Sequence, residues 1–238
     1  MFALISTDTF GTKPLWYGKD EYGKMVLATY ESVVHGLDFH GSVEMVSPNT
    51  ILHLDLATMH ITERNEVYSF DLRQYKSDTS DWANAFLRAV DKRARNTLHP
   101  VFIGLSSGYD SGLIHAALVS LDQKHNCYTI HGTEDIDVVR QRWAVAGDLA
   151  ESNLIVLSED AFEEEFRHIN EHCENYEYSQ IASQGKVTDD PAASGMSYIF
   201  WKCRARGHLV YLSGTGGDEI YSDYARNGEP IFPHSSFN

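Results

Sequence analysis

The segment that most restricts the fold is VFIGL-SSGYDSG-LIHAAL, residues 101 to 118. An apolar run without polar alternation suits a strand covered on both faces, and such strands belong to parallel sheets packed between helices. Seven small or polar residues interrupt it before an apolar pattern with helical spacing begins. The alternation continues. Strand-like NCYTIHG, NLIVL and HLVYLSG are interleaved with helical patterns expected at Ser111–Gln123, Ile136–Glu151, Ala161–His172 and Ser194–Gly207. Upstream, Trp82, Phe86, Val90, Ala94 and Leu98 recur every four residues behind the capping candidates Ser80 and Asp81. The expected fold is therefore α/β, a doubly wound parallel sheet.

The first part of the chain has a different texture. FALIS, PLWYG, MVLAT and TILHLDL are short strand-like runs split by Gly, Asp and Pro-Asn turn signals. Residues 1–62 are thus expected to form a small antiparallel β segment, 63–79 a linker, and 80–238 the α/β domain.

Charge narrows the function. With 34 acids against 19 bases, the 238-residue chain carries a formal charge of −15. Nucleic-acid and anionic-membrane surfaces need clustered Lys and Arg, so neither partner is expected. Three widely spaced cysteines, Cys127, Cys173 and Cys203, make no disulfide framework. Without a signal peptide or an apolar run long enough to span a bilayer, a reduced cytoplasmic protein is expected.

In doubly wound sheets, ligands bind beyond the carboxyl ends of the strands where strand order reverses. Two strands end in unusual loops, VFIGL in SSGYDSG and HLVYL in SGTGGDE. A small-residue turn into a helix aims successive backbone N–H groups, and the positive end of the helix, at one spot. Ser106, Ser107 and Ser111 add hydroxyls, and Gly108 permits close approach. The result is an anion cradle suited to phosphate, without the lysine of G-x-x-x-x-G-K-S/T. Asp110 fits there as a Mg²⁺ ligand, with Asp218 of the second loop as the matching carboxylate. Each loop taken alone also suits a plain tight turn, with Asp110 as a helix cap.

LSSGYDSG resembles the S-G-G-x-D-S loop of the N-type ATP pyrophosphatases, and LSGTGGDEIYSDY is similar to the S-G-E-G-x-D-E-x-x-x-G-Y segment of the asparagine synthetase family. DTFGTKPLWYG (Asp8–Gly18) resembles that family's D-x-x-G-x-K-P-L-Y-Y, near the end of its glutaminase domain, and DDPAASGMSYI its D-P-S-A-x-P-x-Y. The resemblance implies an adenine nucleotide alpha-hydrolase-like, Rossmann-like domain that uses ATP and Mg²⁺ in asparagine biosynthesis. It implies that Leu105, His131, Ser213 and Gly214 contact adenosine, and that Ser106, Ser107, Gly108, Tyr109, Asp110 and Ser111 hold pyrophosphate. Asp110 and Asp218 would bind the metal, and Asp190 and Met196 would lie at the amino-acid site. Such enzymes adenylate a carboxylate, here aspartate, and ammonia then displaces AMP.

The departures carry information too. The family's glutaminase half opens on a cysteine, whereas this chain opens Met-Phe, so glutaminase activity is not expected, nitrogen would come as free ammonia or from a separate glutaminase, and the expected protein partner is that glutaminase or a second copy in a homo-oligomer. Thr215 stands at the family's Glu, Ser107 at a Gly, and Gly112 at a frequent Ser. The domain is expected to be incomplete at its C-terminus. Two alternatives remain beside the ligase: a non-catalytic relative that binds nucleotide or serves as a partner subunit, and a lactam- or peptide-cyclising ligase with another carboxylate. Further candidates are weaker. His168, His172 and Cys173 have metal-ligand spacing beside the acidic run Glu163–Glu165, which reads as a solvated helix face. Tyr109 and Trp143 could stack on adenine. Arg204 and Arg206 sit where a helix C-terminus favours cations.

Overall fold

The computed structural model describes residues 1–11, 13–37, 39–69, 71, 73, 75–173, 176–177, 184–190, 192–215, 225–226 and 229–230. The chain divides into two compact units, one built on Met1–Gln74 and one on Tyr75–Asn175 with Lys186–Thr215.

The first unit is antiparallel throughout. Strand β1 (Phe2–Ser6) pairs with β5 (Thr50–Asp55), which pairs with β6 (His60–Glu66). A second sheet has β2 (Trp16–Lys19) between β3 (Met25–Ala28) and β4 (Ser42–Met45), with the short helix α1 (Glu31–Gly36) following β3. Ile5, Tyr17, Val46, Leu52 and Leu54 form one small core; Val26, Val34 and Phe39 form another. The expected linker needs correction at its start, because β6 runs on to Glu66. HITERNE is exposed along nearly its whole length, so backbone pairing with β5 holds it and apolar alternation does not.

The second unit is the expected doubly wound sheet. In chain order it comprises α2 (Ser80–Arg95), β7 (Val101–Gly104), α3 (Tyr109–Ser120), β8 (His125–Ile130), α4 (Ile136–Ala146), β9 (Ala150–Ile155) and α5 (Glu159–His172). A two-residue ladder, β10 (Tyr176–Glu177) with β11 (Gln184–Gly185), groups with the first unit, and α6 (Ala192–Ala205) and β12 (Val210–Tyr211) complete the second. Strand order is β12-β7-β8-β9, every pairing parallel. From β7 the sheet grows first through β8 and β9, then back to β12 on the other side. The switch point thus lies between β7 and β12, whose following loops are the two singled out above.

Both faces of β7 are covered, which is why its sequence does not alternate. Val101, Ile103 and Leu105 pack with Val90 and Ala94 of α2, Ile114, Ala117 and Leu118 of α3, and Val139 of α4. Phe102 faces the opposite side, with Tyr128, Ile199 and Cys203. Each such fully buried aliphatic or aromatic side chain contributes about 1.5–3 kcal/mol. Two expectations shift. Helix α4 ends at Gly147, whose φ of +52° a side chain would resist, and β9 begins three residues before NLIVL. Leu98, expected on the apolar face of α2, lies beyond the helix and is 99% exposed. No helix among the described residues is long and apolar enough to cross a membrane.

Candidate functional site

The first loop leaves β7 in register. The Leu105 amide donates to the Tyr128 carbonyl (2.8 Å), and Thr129 Oγ1 donates to the Leu105 carbonyl (2.7 Å). The loop then closes on its own hydroxyls. Ser106 N–H donates to Ser111 Oγ (3.0 Å), the two hydroxyls share a hydrogen bond (2.7 Å), and Gly108 N–H donates to Ser106 Oγ (3.1 Å). Gly108 is the N-cap of α3, with extended backbone and no side-chain cap. The first-turn amides of α3 therefore carry the positive end of the helix toward the loop.

Two charged side chains hold this turn. Arg142 of α4 donates from Nη1 to the Ser106 carbonyl and to the Gly108 carbonyl (2.8 Å). A Cβ at Gly112 would stand 2.6 Å from the Arg142 Cζ, so the glycine makes room for the guanidinium. The departure at Gly112 is thereby explained. From the other side, Glu134 accepts from both the Ser107 amide and hydroxyl, each at 2.5 Å. The Ser107 amide and hydroxyl of the loop thus already face a carboxylate. Ser107 is not among the residues with positive φ, so its side chain costs no backbone strain. Neither Arg142 nor Glu134 was legible in the sequence as a loop partner.

The second loop comes against the first. Leu212 N–H donates to the Phe102 carbonyl (3.0 Å), continuing the β12–β7 pairing. A Cβ at Gly214 would lie 2.7 Å from the Asp110 Cβ and 2.9 Å from its carbonyl carbon, so only glycine fits. Asp110, in the first turn of α3, is thereby fixed at the switch point, and no hydrogen bond engages its carboxylate among the described residues. Ser213 and Thr215 join hydroxyls at 2.7 Å. Asp218, expected as the second metal ligand, lies outside the described residues.

The remaining candidates separate. His131 is exposed at the end of β8, its N–H donating to the Ile155 carbonyl (2.7 Å). Tyr109 is 91% exposed beside the loop. Trp143 instead packs against the buried cluster of α2, α3 and α4. Met196 packs against Phe102 and Tyr128, with its Sδ 3.3 Å from where a Gly104 Cβ would be. Asp190 caps the start of α6, accepting from Ala192 N–H (2.9 Å). Glu165 departs from the expected solvated face by accepting from Ser197 Oγ (2.7 Å). His168 and His172 stack on each other. Arg206 ties to Glu151 (2.9 Å) and Asn153 (2.8 Å) of β9.

Residues 81–237 match the family model described as asparagine synthase. The chain is also similar to a protein of Methanocaldococcus jannaschii carrying the name putative asparagine synthetase 1, glutamine-hydrolysing, at 28% identity over 94% of this chain. It spans 42% of that relative's length.

Proposed function

The chain belongs to the asparagine synthase family, and from that premise we propose that it carries the nucleotide-handling part of an ATP-dependent, AMP-forming carbon–nitrogen ligase. One observation carries the reading: at the switch point, the Asp110 carboxylate has no internal partner among the described residues while its backbone is pressed against Gly214. The substrate acid is aspartate and the nitrogen donor is ammonia, free or delivered by a separate glutaminase. A cytoplasmic setting belongs to the same proposal.

In the reaction, a side-chain carboxylate oxygen attacks the α-phosphorus of ATP and pyrophosphate leaves. Ammonia then attacks the acyl carbon, AMP leaves, and one proton is lost. The protein's share is positioning and charge compensation. The α3 first-turn amides and the Ser106–Ser111 turn would hold pyrophosphate, Arg142 would keep that turn in shape, and Leu105, His131, Ser213 and Gly214 would border adenosine. A carboxylate without internal hydrogen bonds, beside an anion cradle, has the oxygen chemistry that Mg²⁺ prefers. Asp110 and Asp218 would hold the ion, which when bound offsets the mutual repulsion of phosphates and carboxylate.

A second reading has its own support. Thr215, its hydroxyl paired with that of Ser213, stands at the position of the family's Glu, and a hydroxyl cannot take up a proton as a carboxylate can. On that reading the chain binds nucleotide without turnover. Isotope exchange between pyrophosphate and ATP, with Mg²⁺ and aspartate present, decides between them: exchange supports adenylation, and binding without exchange supports the second reading.

A further inference from the structure

Below the loop, three metal-ligating side chains meet in the interior, and the ligase chemistry uses none of them. His115 comes from the second turn of α3; His125 and Cys127 stand two apart on β8 and so share one face of the sheet. They are 3%, 3% and 0% exposed. His115 Nδ1 lies 3.0 Å from His125 Nε2 and 3.6 Å from Cys127 Sγ. The three donor atoms all fall within 4.8 Å of one another.

The outer nitrogens of the two rings decide what the inner ones are. His115 Nε2 is 2.9 Å from the Arg142 carbonyl, and His125 Nδ1 is 2.8 Å from the Gln123 carbonyl. A carbonyl oxygen only accepts, so each of those nitrogens carries the proton of a neutral imidazole. The facing pair, His115 Nδ1 and His125 Nε2, then consists of two lone pairs 3.0 Å apart. A cation placed between them would satisfy both lone pairs.

We propose that His115, His125 and Cys127 form a binding site for a thiophilic divalent cation, Zn²⁺ in the first instance. Zinc–nitrogen bonds of about 2.0–2.1 Å and a zinc–sulfur bond of about 2.3 Å at tetrahedral angles require separations of roughly 3.3 Å between nitrogens and roughly 3.5 Å from nitrogen to sulfur. The site supplies 3.0 and 3.6 Å. The two carbonyls fix the tautomers from behind, the usual support of metal-bound histidine. Burial pushes the Cys127 thiol up to about 12, so it ionises only as the metal binds, releasing one proton to solvent as the S–Zn bond forms. His115 also lines a cleft of about 800 Å³ between α3 and α4. The ion is structural. Arg142 holds His115 through its carbonyl and the anion loop through its guanidinium, so the metal braces α3 against α4 beneath that loop.

The test uses the whole chain, stripped with a chelator and titrated with Zn²⁺ and with Co²⁺. The expected results are one ion per chain, a melting temperature raised by about 5 °C or more with Zn²⁺, and visible bands of tetrahedral Co²⁺ with thiolate charge transfer. Cys127→Ser and His125→Gln should lose the thiolate band, while Asp110→Asn keeps it. Should either variant not fold, the wild-type cobalt spectrum and melting shift stand alone as the test. Absence of both from wild type overturns the proposal. So does a thiolate band that survives Cys127→Ser but disappears in Cys173→Ser, which would move the ion to the exposed end of α5.

Discussion

Asp8 and Asp110 each follow a strand, each within a turn containing glycine, and the structure uses them in opposite ways. Asp8 accepts from the Phe10 amide at 3.0 Å and from the Lys13 amide at 3.2 Å, while its carbonyl accepts from Gly11 and Asn49. It is engaged in holding its own turn. The Asp110 carboxylate accepts nothing among the described residues, yet its backbone is fixed against Gly214. Asp135 and Asp190 side with Asp8, each capping a helix. A carboxylate held rigidly but left without donors is the one to expect at a ligand.

The largest effect should separate this pair. Asp110→Ala is expected to weaken ATP–Mg²⁺ binding on the order of 100-fold, about 2.7 kcal/mol, with little change in urea stability. Asp8→Ala should leave that affinity within about twofold and cost about 1–3 kcal/mol of stability as its amide partners lose their acceptor. The reverse pattern would break the comparison.

Gly214→Ala comes next. Its Cβ overlaps Asp110 backbone and cannot be relieved by rotating a side chain, so a loss of about tenfold or more in nucleotide affinity is expected, read by calorimetry. Gly132→Ala, with nothing within 4 Å of its Cβ, is the matched control and should bind normally. Arg142→Ala removes the donors beneath the loop and should weaken binding by roughly tenfold. Arg142→Lys, which lacks the planar fork, should recover little of it.

The smallest effect has the opposite sign. Glu134 presents a carboxylate to the Ser107 amide that a phosphate would otherwise reach. Glu134→Gln keeps an acceptor there and removes the negative charge, so nucleotide should bind a few-fold tighter at low salt. Unchanged affinity would mean that the carboxylate and the phosphates do not share the cradle.

The sheet and its switch point were legible because both faces of β7 are buried, which writes a continuous apolar run into the sequence. The strand β6 was not, because an exposed strand paired only through its backbone carries no apolar period. The start of β9 continues the helical spacing of α4 in sequence, and Gly147 supplies the stop signal that ends the helix. At the site, the loop residues could be read from their types. Their holders could not: Arg142 and Glu134 reach Ser106 and Ser107 only once α4 is packed beside α3. The His115–His125–Cys127 cluster was equally hidden, since its spacing matches no common ligand pattern and only the α3–β8 packing closes it.

The central claim is that the turns after β7 and β12 grip one metal-bound nucleotide, with Asp110 at the metal. Replacing Mg²⁺ by paramagnetic Mn²⁺ and adding ATP tests it directly by amide NMR. Resonances of Ser106–Ser111 and Ser213–Thr215 should broaden together, those of Gln123–His125 at the opposite end of the sheet should stay sharp, and Asp110→Asn should abolish the effect. Broadening confined to one of the two loops, or unchanged in Asp110→Asn, would contradict it.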